Sequence, residues 1–413
     1  MKRRVVITGM GALTPLGNSV TETWAGICGG YSGVGPITKF DAADYETRIA
    51  GELQDFDPIA YVSKKELRRL DPFIIYCLAS AEMAVADAGL NLKDSRAERV
   101  GVVIGSAIGG LATLEKQKET LLRGGPRKVS PFTIPSVLPN LGAGNVSIRF
   151  GARGPIGCPV TACASGTNAL GDAFRLIASD YADVIFAGGA EAAITPLAVS
   201  GFTAMGALSR RNDEPGKASR PFDLSRDGFV IGEGCGILIL EELNFARDRG
   251  AKIYGEVIGY GTTSDAFHLA VPPPGHEGAV RCMRAALRDA GIGPADVDYV
   301  NAHGTSTPLN DQYEAEAIKT VFGEQNSRLP VSSTKSMTGH LLGATGSVEA
   351  ILTAKALETG IIPPTINLEQ PDPACNLDFV PGSARQGDIR IAMSNTFGFG
   401  GVNATVILKK YFE

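Results

Sequence analysis

The chain has 413 residues, 44% of them apolar and 20% charged, with a formal net charge of -5. That suits a globular protein with room for two ordinary domains or one large fused core. It excludes a broad nucleic-acid footprint, which needs a surplus of Lys and Arg. The basic N-terminus is followed only by Val5-Val6-Ile7, too short for the apolar region of a signal peptide, and no apolar run approaches the length that crosses a bilayer. A cytoplasmic protein without nucleic-acid or membrane partners is expected.

In chain order, short β-branched runs at 5–7, 100–104, 184–187, 237–240, 254–259, 297–300 and 404–408 read as strands. Several are apolar throughout, as expected of strands buried on both faces. Helical patterns lie between them. Asp71 is a good N-cap, Pro72 suits the first helical position, and the pattern stops near Gly89. Further helices are predicted over 164–178, 276–290 and 346–357. Strands alternating with helices imply an α/β fold with largely parallel sheets. A division near residue 250 gives two halves, 1–250 and 251–413, each leading from strands into helices and a Gly-rich turn.

The glycines of Gly9-Met10-Gly11-Ala12-Leu13-Thr14 suggest a dinucleotide fingerprint, but Thr14 occupies the third Gly position and the match fails. The seven cysteines form no C-x-x-C pair and are odd in number, which argues against zinc and disulfide frameworks. Cys163 stands apart. In Gly157-Cys158-Pro159-Val160-Thr161-Ala162-Cys163-Ala164-Ser165-Gly166 a strand-like stretch ends at Cys163 and a helix of small residues begins. A side chain on such a turn is held up to a substrate, as in a nucleophile elbow. Free N–H groups at the helix start favour thiolate, so a lowered pKa is expected.

Two of the four histidines sit in polar turns after strands: His303 in Asn301-Ala302-His303-Gly304-Thr305-Ser306-Thr307, and His340 at the end of Lys335-Ser336-Met337-Thr338-Gly339-His340. A thiolate that accepts an acyl group, with two imidazole N–H donors for an enolate oxygen, is a coherent set. A nearby Lys335 would keep a histidine neutral. The segment Ser394-Asn395-Thr396-Phe397-Gly398-Phe399-Gly400-Gly401 reads as a glycine loop before the last strand, with a backbone N–H available as a second oxyanion donor.

These four motifs, in this order, closely resemble the β-ketoacyl-acyl carrier protein synthases, nearest to type II of the dissociated bacterial fatty acid pathway. The resemblance runs from Val5-Val6-Ile7-Thr8-Gly9 to the final strand. It implies a thiolase-like, five-layered αβαβα core built from two similar halves, and a homodimer. It implies decarboxylative Claisen condensation of an acyl thioester with malonyl-acyl carrier protein, giving β-ketoacyl-acyl carrier protein and CO2. Cys163 would be the nucleophile, His303 and His340 the decarboxylation pair, and Phe399 a gate. Lys335 would lie beside His340 and pair with Glu314. Ile108 and Phe202 would line the acyl pocket, and Thr305 and Thr307 would hold the pantetheine arm. Asn301, Glu349, Ser394 and Asn395 match positions that hold a structural monovalent cation in some relatives. No other cofactor is implied beyond the phosphopantetheine of the carrier.

Lys64, Lys65, Arg68 and Arg69 group on one side at helical spacing, and Arg127 and Lys128 form a second basic pair. In the family these regions dock the acidic acyl carrier protein. Gly206, Ala270 and Val271 depart from residues that relatives often use to touch carrier and pantetheine. A thiolase would need a second cysteine where Phe399 stands, and an inert chain-length subunit would lack Cys163. A ketosynthase of a dissociated polyketide pathway would share every catalytic residue and is the alternative.

Overall fold

A computed structural model describes residues 3–91, 97–323 and 328–412. Ten strands form one hydrogen-bonded sheet. The first five are β1 (Val5–Leu13), β2 (Val100–Gly105), β3 (Ile156–Gly157), β4 (Val184–Glu191) and β5 (Gly234–Glu242). The second five are β6 (Gly255–Ser264), β7 (Tyr299–Asn301), β8 (Val331–Ser332), β9 (Ile391–Gly398) and β10 (Val402–Lys409). The spatial order is β8-β7-β9-β10-β6-β1-β5-β4-β2-β3. Each half therefore has the same topology, joined by a short antiparallel seam between Val5–Ile7 and Gly255–Val257.

The helices repeat as well. α1 (Pro72–Ala88), α2 (Leu141–Phe150) and α3 (Ser165–Ala178) follow β1, β2 and β3. α4 (Glu277–Ala290), α5 (Pro308–Phe322) and α6 (Thr345–Thr359) follow β6, β7 and β8. α1 and α2 cover the outer face of one strand block, α4 and α5 that of the other, and α3 and α6 lie between the blocks. The result is the five-layered αβαβα arrangement. α6 is buried on nearly every side because it has sheet on both faces.

Local chemistry explains the elements. The Asp71 side chain accepts from Phe73 N–H, and Gly89 closes α1 with a left-handed φ of 57°. Gly9 and Gly11 lie inside β1, not in a phosphate loop. A Cβ on Gly9 would come within 2.3 Å of Ala84 O, and one on Gly11 within 2.1 Å of Ser80 O. They are glycine so that α1 can pack directly on the strand.

Two expectations change. The sheet is mixed: β2 runs parallel to β3 and β4, but β5 is antiparallel to β1 and β4, and β10 to β6 and β9. A hairpin joins β9 to β10, and so tight a connection imposes antiparallel pairing. That hairpin is also the second change. Ser394 to Gly398 belong to β9, leaving only residues 399–401 as the turn.

Candidate active site

The reactive residues all follow the carboxyl ends of strands. The segment after β3 is not strand up to Cys163: it runs irregularly to a single 3-10 turn, Ala162–Ala164, which leads into α3. The topologically matching turn, Leu342–Ala344, leads into α6. Ala162 has φ 50° and Leu342 φ 48°, so the same strained step precedes both central helices. The two helices touch through glycines. A Cβ on Gly166 would lie 2.8 Å from Ser347 N, and one on Gly346 2.0 Å from Thr167 Oγ1. This contact brings the Cys163 turn against the His340 turn.

His340 Nε2 is 3.0 Å from Cys163 Sγ, and His340 Nδ1 is 2.9 Å from Thr345 Oγ1. The ring of His303 stands edge-on to that of His340, centroids 5.3 Å apart. The Sγ atom and one nitrogen from each histidine all lie within 4.8 Å of one another. All three residues are buried.

Burial dominates their electrostatics. It pushes the Cys163 thiol up to about 12, against smaller opposing effects of Lys335 and of the Phe399 and Cys163 N–H groups. The expected fall in pKa is therefore overturned: the helix start favours thiolate, but loss of hydration outweighs it. Both histidines are held well below their usual range, first by burial and then by the Lys335 ammonium. They are neutral, as the sequence suggested.

Lys335 is fully buried, and its Nζ bonds Glu349 Oε1 at 2.6 Å. This corrects the pairing with Glu314. Glu314, on α5, accepts from the N–H groups of His303 and Gly304, each at 2.7 Å. It braces the His303 turn from behind and does not line the substrate cavity. Burial raises both carboxyls to about 7.

A cavity of about 450 Å³ opens onto Cys163, His303 and His340. Ile108, Phe202, Thr305, Thr307 and Phe399 all line it. Phe202 packs edge-on against Phe229, and Phe229 edge-on against His340, so an aromatic wall runs along the cavity from Phe202 to the histidine. Thr305 and Thr307 share a 2.8 Å hydroxyl contact at the other side. Phe399, partly exposed, faces Phe202 at 6.5 Å between centroids.

For a cation, Asn301 Oδ1 is a buried oxygen with no hydrogen-bond partner among the described residues, Glu349 Oε2 has none at normal hydrogen-bond distance although the Asn301 amide lies close enough to stabilise the carboxylate, and Asn301 Nδ2 donates to Ser394 Oγ at 3.3 Å. These fit a small cation. The Asn395 oxygen already accepts from Thr405 and its amide faces Met283.

Lys64 and Lys65 sit on a single exposed helical turn with Arg68 just beyond it. Arg69 turns away and stacks over Phe132 at 4.2 Å. Arg127 and Lys128 are exposed on a separate short turn.

Sequence reasoning missed Glu191 and Thr345. Glu191 ends β4 fully buried and accepts from the N–H groups of Ala107, Ile108 and Gly343, clamping the Ile108 turn to the turn before α6. A lone acid closing an apolar strand was the available signal.

Among the described residues, no helix is long and apolar enough to cross a membrane. The family description "Beta-ketoacyl synthase, N-terminal domain" matches residues 2–246, and "Beta-ketoacyl synthase, C-terminal domain" matches residues 254–369. A protein of Synechocystis named 3-oxoacyl-[acyl-carrier-protein] synthase 2 is 52% identical, with 99% of each chain covered. One of the same name from Coxiella burnetii is 52% identical over the whole of both chains. A crystal structure of a β-ketoacyl synthase from Burkholderia phymatum superposes with a TM-score of 0.92 at 38% identity, covering both chains fully. A type II polyketide ketosynthase bound to its acyl-carrier protein gives 0.92 at 36%, again over both full chains. With the cysteine, the two histidines and the repeated αβαβα frame already in place, these matches settle the family: the chain belongs to the β-ketoacyl synthases.

Proposed function

We propose that this chain elongates fatty acids by decarboxylative Claisen condensation of an acyl thioester with malonyl-acyl carrier protein. The observation that carries the reading is the contact of Cys163 Sγ with His340 Nε2 at 3.0 Å, with His303 beside it, at one cavity. Cys163 Sγ takes the acyl group, and its proton ends on the departing pantetheine thiol. The malonyl thioester then loses CO2. The electron pair of the broken C–C bond becomes an enolate, whose oxygen lies between the two imidazoles. The enolate carbon attacks the acyl carbonyl, the C–Sγ bond breaks as the β-ketoacyl product forms, and Sγ leaves as a thiolate that takes a proton from solvent to restore the resting thiol. Neutral imidazoles suit this step because they can donate N–H without a second positive charge next to Lys335.

The fatty acid reading is favoured over the polyketide one by identity: 52% to relatives named 3-oxoacyl-[acyl-carrier-protein] synthase 2, against 36% to the polyketide ketosynthase. In this reading Thr305 and Thr307 hold the pantetheine arm and Ile108 and Phe202 the acyl chain. Acyl carrier protein docks on Lys64, Lys65, Arg68, Arg127 and Lys128, steered by opposite charge. A monovalent cation between Asn301 and Glu349 would take Asn301 Oδ1 and the carboxylate oxygen that Lys335 does not bond as ligands. A second copy of the chain fits the exposed edge at β3, where Ile148, Ile156 and Val160 leave apolar surface uncovered.

The test is to incubate purified protein with acyl-carrier and malonyl-carrier and follow the carrier by intact mass spectrometry, with Cys163→Ala in parallel. A β-ketoacyl product two carbons longer, absent in the variant, is expected. An unacylated Cys163 across all acyl lengths would overturn the reading.

A further inference from the structure

The two halves place a hydroxyl residue at the same point, the first residue of each central helix: Ser165 on α3 and Thr345 on α6. In the first half the hydroxyl serves the local turn. Ser165 Oγ donates to Ala162 O at 2.7 Å and accepts from Thr161 N at 2.9 Å. In the second half it serves a side chain instead, since Thr345 Oγ1 lies 2.9 Å from His340 Nδ1. Other hydroxyls here follow the usual habit of donating to a carbonyl three or four residues back, as Ser347 does to Ala344 O and Thr353 to Glu349 O. Among the described residues Thr345 makes no such bond.

That leaves a counting argument. Both partners are buried. If Nδ1 carried the proton and donated to Oγ1, the hydroxyl proton would have no acceptor. If Oγ1–H donates to Nδ1, the hydroxyl and ring protons are both placed, with Nε2 carrying the ring proton toward Sγ, and the one proton left without a partner among the described residues is the thiol S–H, the weakest donor of the three and the least costly to leave unpaired.

We propose that Thr345 is a positioning residue that holds His340 as its Nε2–H tautomer. The hydrogen bond at one ring nitrogen decides what the other can do. His340 is then a standing donor, to Sγ in the free enzyme and to the enolate oxygen during decarboxylation. It is not the base that takes the thiol proton. The assignment rests on the proposed condensation, but the tautomer itself does not.

The first measurement is the nitrogen NMR spectrum of the whole protein labelled at histidine, with His340 assigned by its loss in His340→Ala. The expected result is an unprotonated Nδ1 and a protonated Nε2. A protonated Nδ1 overturns the proposal, and this spectrum needs no substrate. The second is a comparison of half-reactions. In Thr345→Val, malonyl decarboxylation and condensation should fall by about 10²-fold, the order lost with one oxyanion donor, while acyl transfer onto Cys163 is largely kept. Thr345→Ser should restore condensation. Equal loss of both half-reactions in Thr345→Val, or no rescue by serine, overturns the role. If wild-type protein condenses nothing, the functional reading fails, and the spectrum still decides the tautomer. If Thr345→Val does not fold, the wild-type spectrum and the serine variant carry the test.

Discussion

Replacing Lys335 with methionine tests how the buried charge is balanced. The ammonium is fully buried and bonds Glu349 Oε1 at 2.6 Å. Removing one partner of a buried ion pair typically costs about 3–5 kcal/mol, because the other charge is left without hydration or partner. Glu349 can escape part of that by taking up a proton. Burial already raises it to about 7, and Lys335 is the main influence holding it down, so the variant's folded value lies above 7. The sign follows from proton counts. In the wild type, folded Glu349 keeps a proton that the unfolded chain has lost between the ordinary carboxylate value and about 7, so this group's contribution falls through that window and is flat above it. In Lys335→Met the fall continues beyond 7. The stability gap between the two proteins should therefore widen above neutrality, by up to about tenfold in the unfolding equilibrium constant per pH unit. Urea denaturation at about pH 6, about pH 7.5 and about pH 9 measures it. Adding Glu349→Gln should remove the pH dependence of the gap. The same variant should move the acid limb of condensation upward, by about 1–3 pH units if the ammonium acts as a close like charge on His303 and His340. A gap that stays constant with pH, or an unmoved acid limb, would refute the reasoning.

Gly346→Ala should destabilise the fold by about 3 kcal/mol, because the new methyl would meet the Thr167 side chain and backbone where α3 and α6 cross; thermal unfolding checks this. Ile108→Phe should shorten the longest acyl chain loaded onto Cys163 while short chains still load, read by intact mass across an acyl series. The double change Lys64→Glu and Lys65→Glu should raise KM for the carrier several-fold with little change in kcat, and flatten the salt dependence of kcat/KM, since both ammonium groups are exposed and away from the cavity.

Much of this protein is written locally. Asp71, Pro72 and Gly89 mark the ends of α1 because capping and left-handed closure are decided within a few residues. Cys163, His303 and His340 were legible as a set because residue type and turn context survive in the sequence. The two-residue strands β3 and β8 were not, since so short a run carries no periodicity and exists only where a neighbouring strand pairs with it. β9 was hidden because Ser394, Asn395 and Thr396 are polar residues buried between the layers, where hydrogen bonds across the sheet and to α3 satisfy them. The sign of the Cys163 shift could not be read either, as the helix start is a local feature while burial is the work of the whole cavity wall. Nor could the partner of Lys335 be read: Glu314 and Glu349 are both buried, and only the packing of α5 behind the His303 turn and of α6 between the sheets gives one to backbone N–H groups and the other to the ammonium. The residues that can do the chemistry are thus a property of the sequence. Which of them touch, and with what charge, is a property of two halves folded face to face.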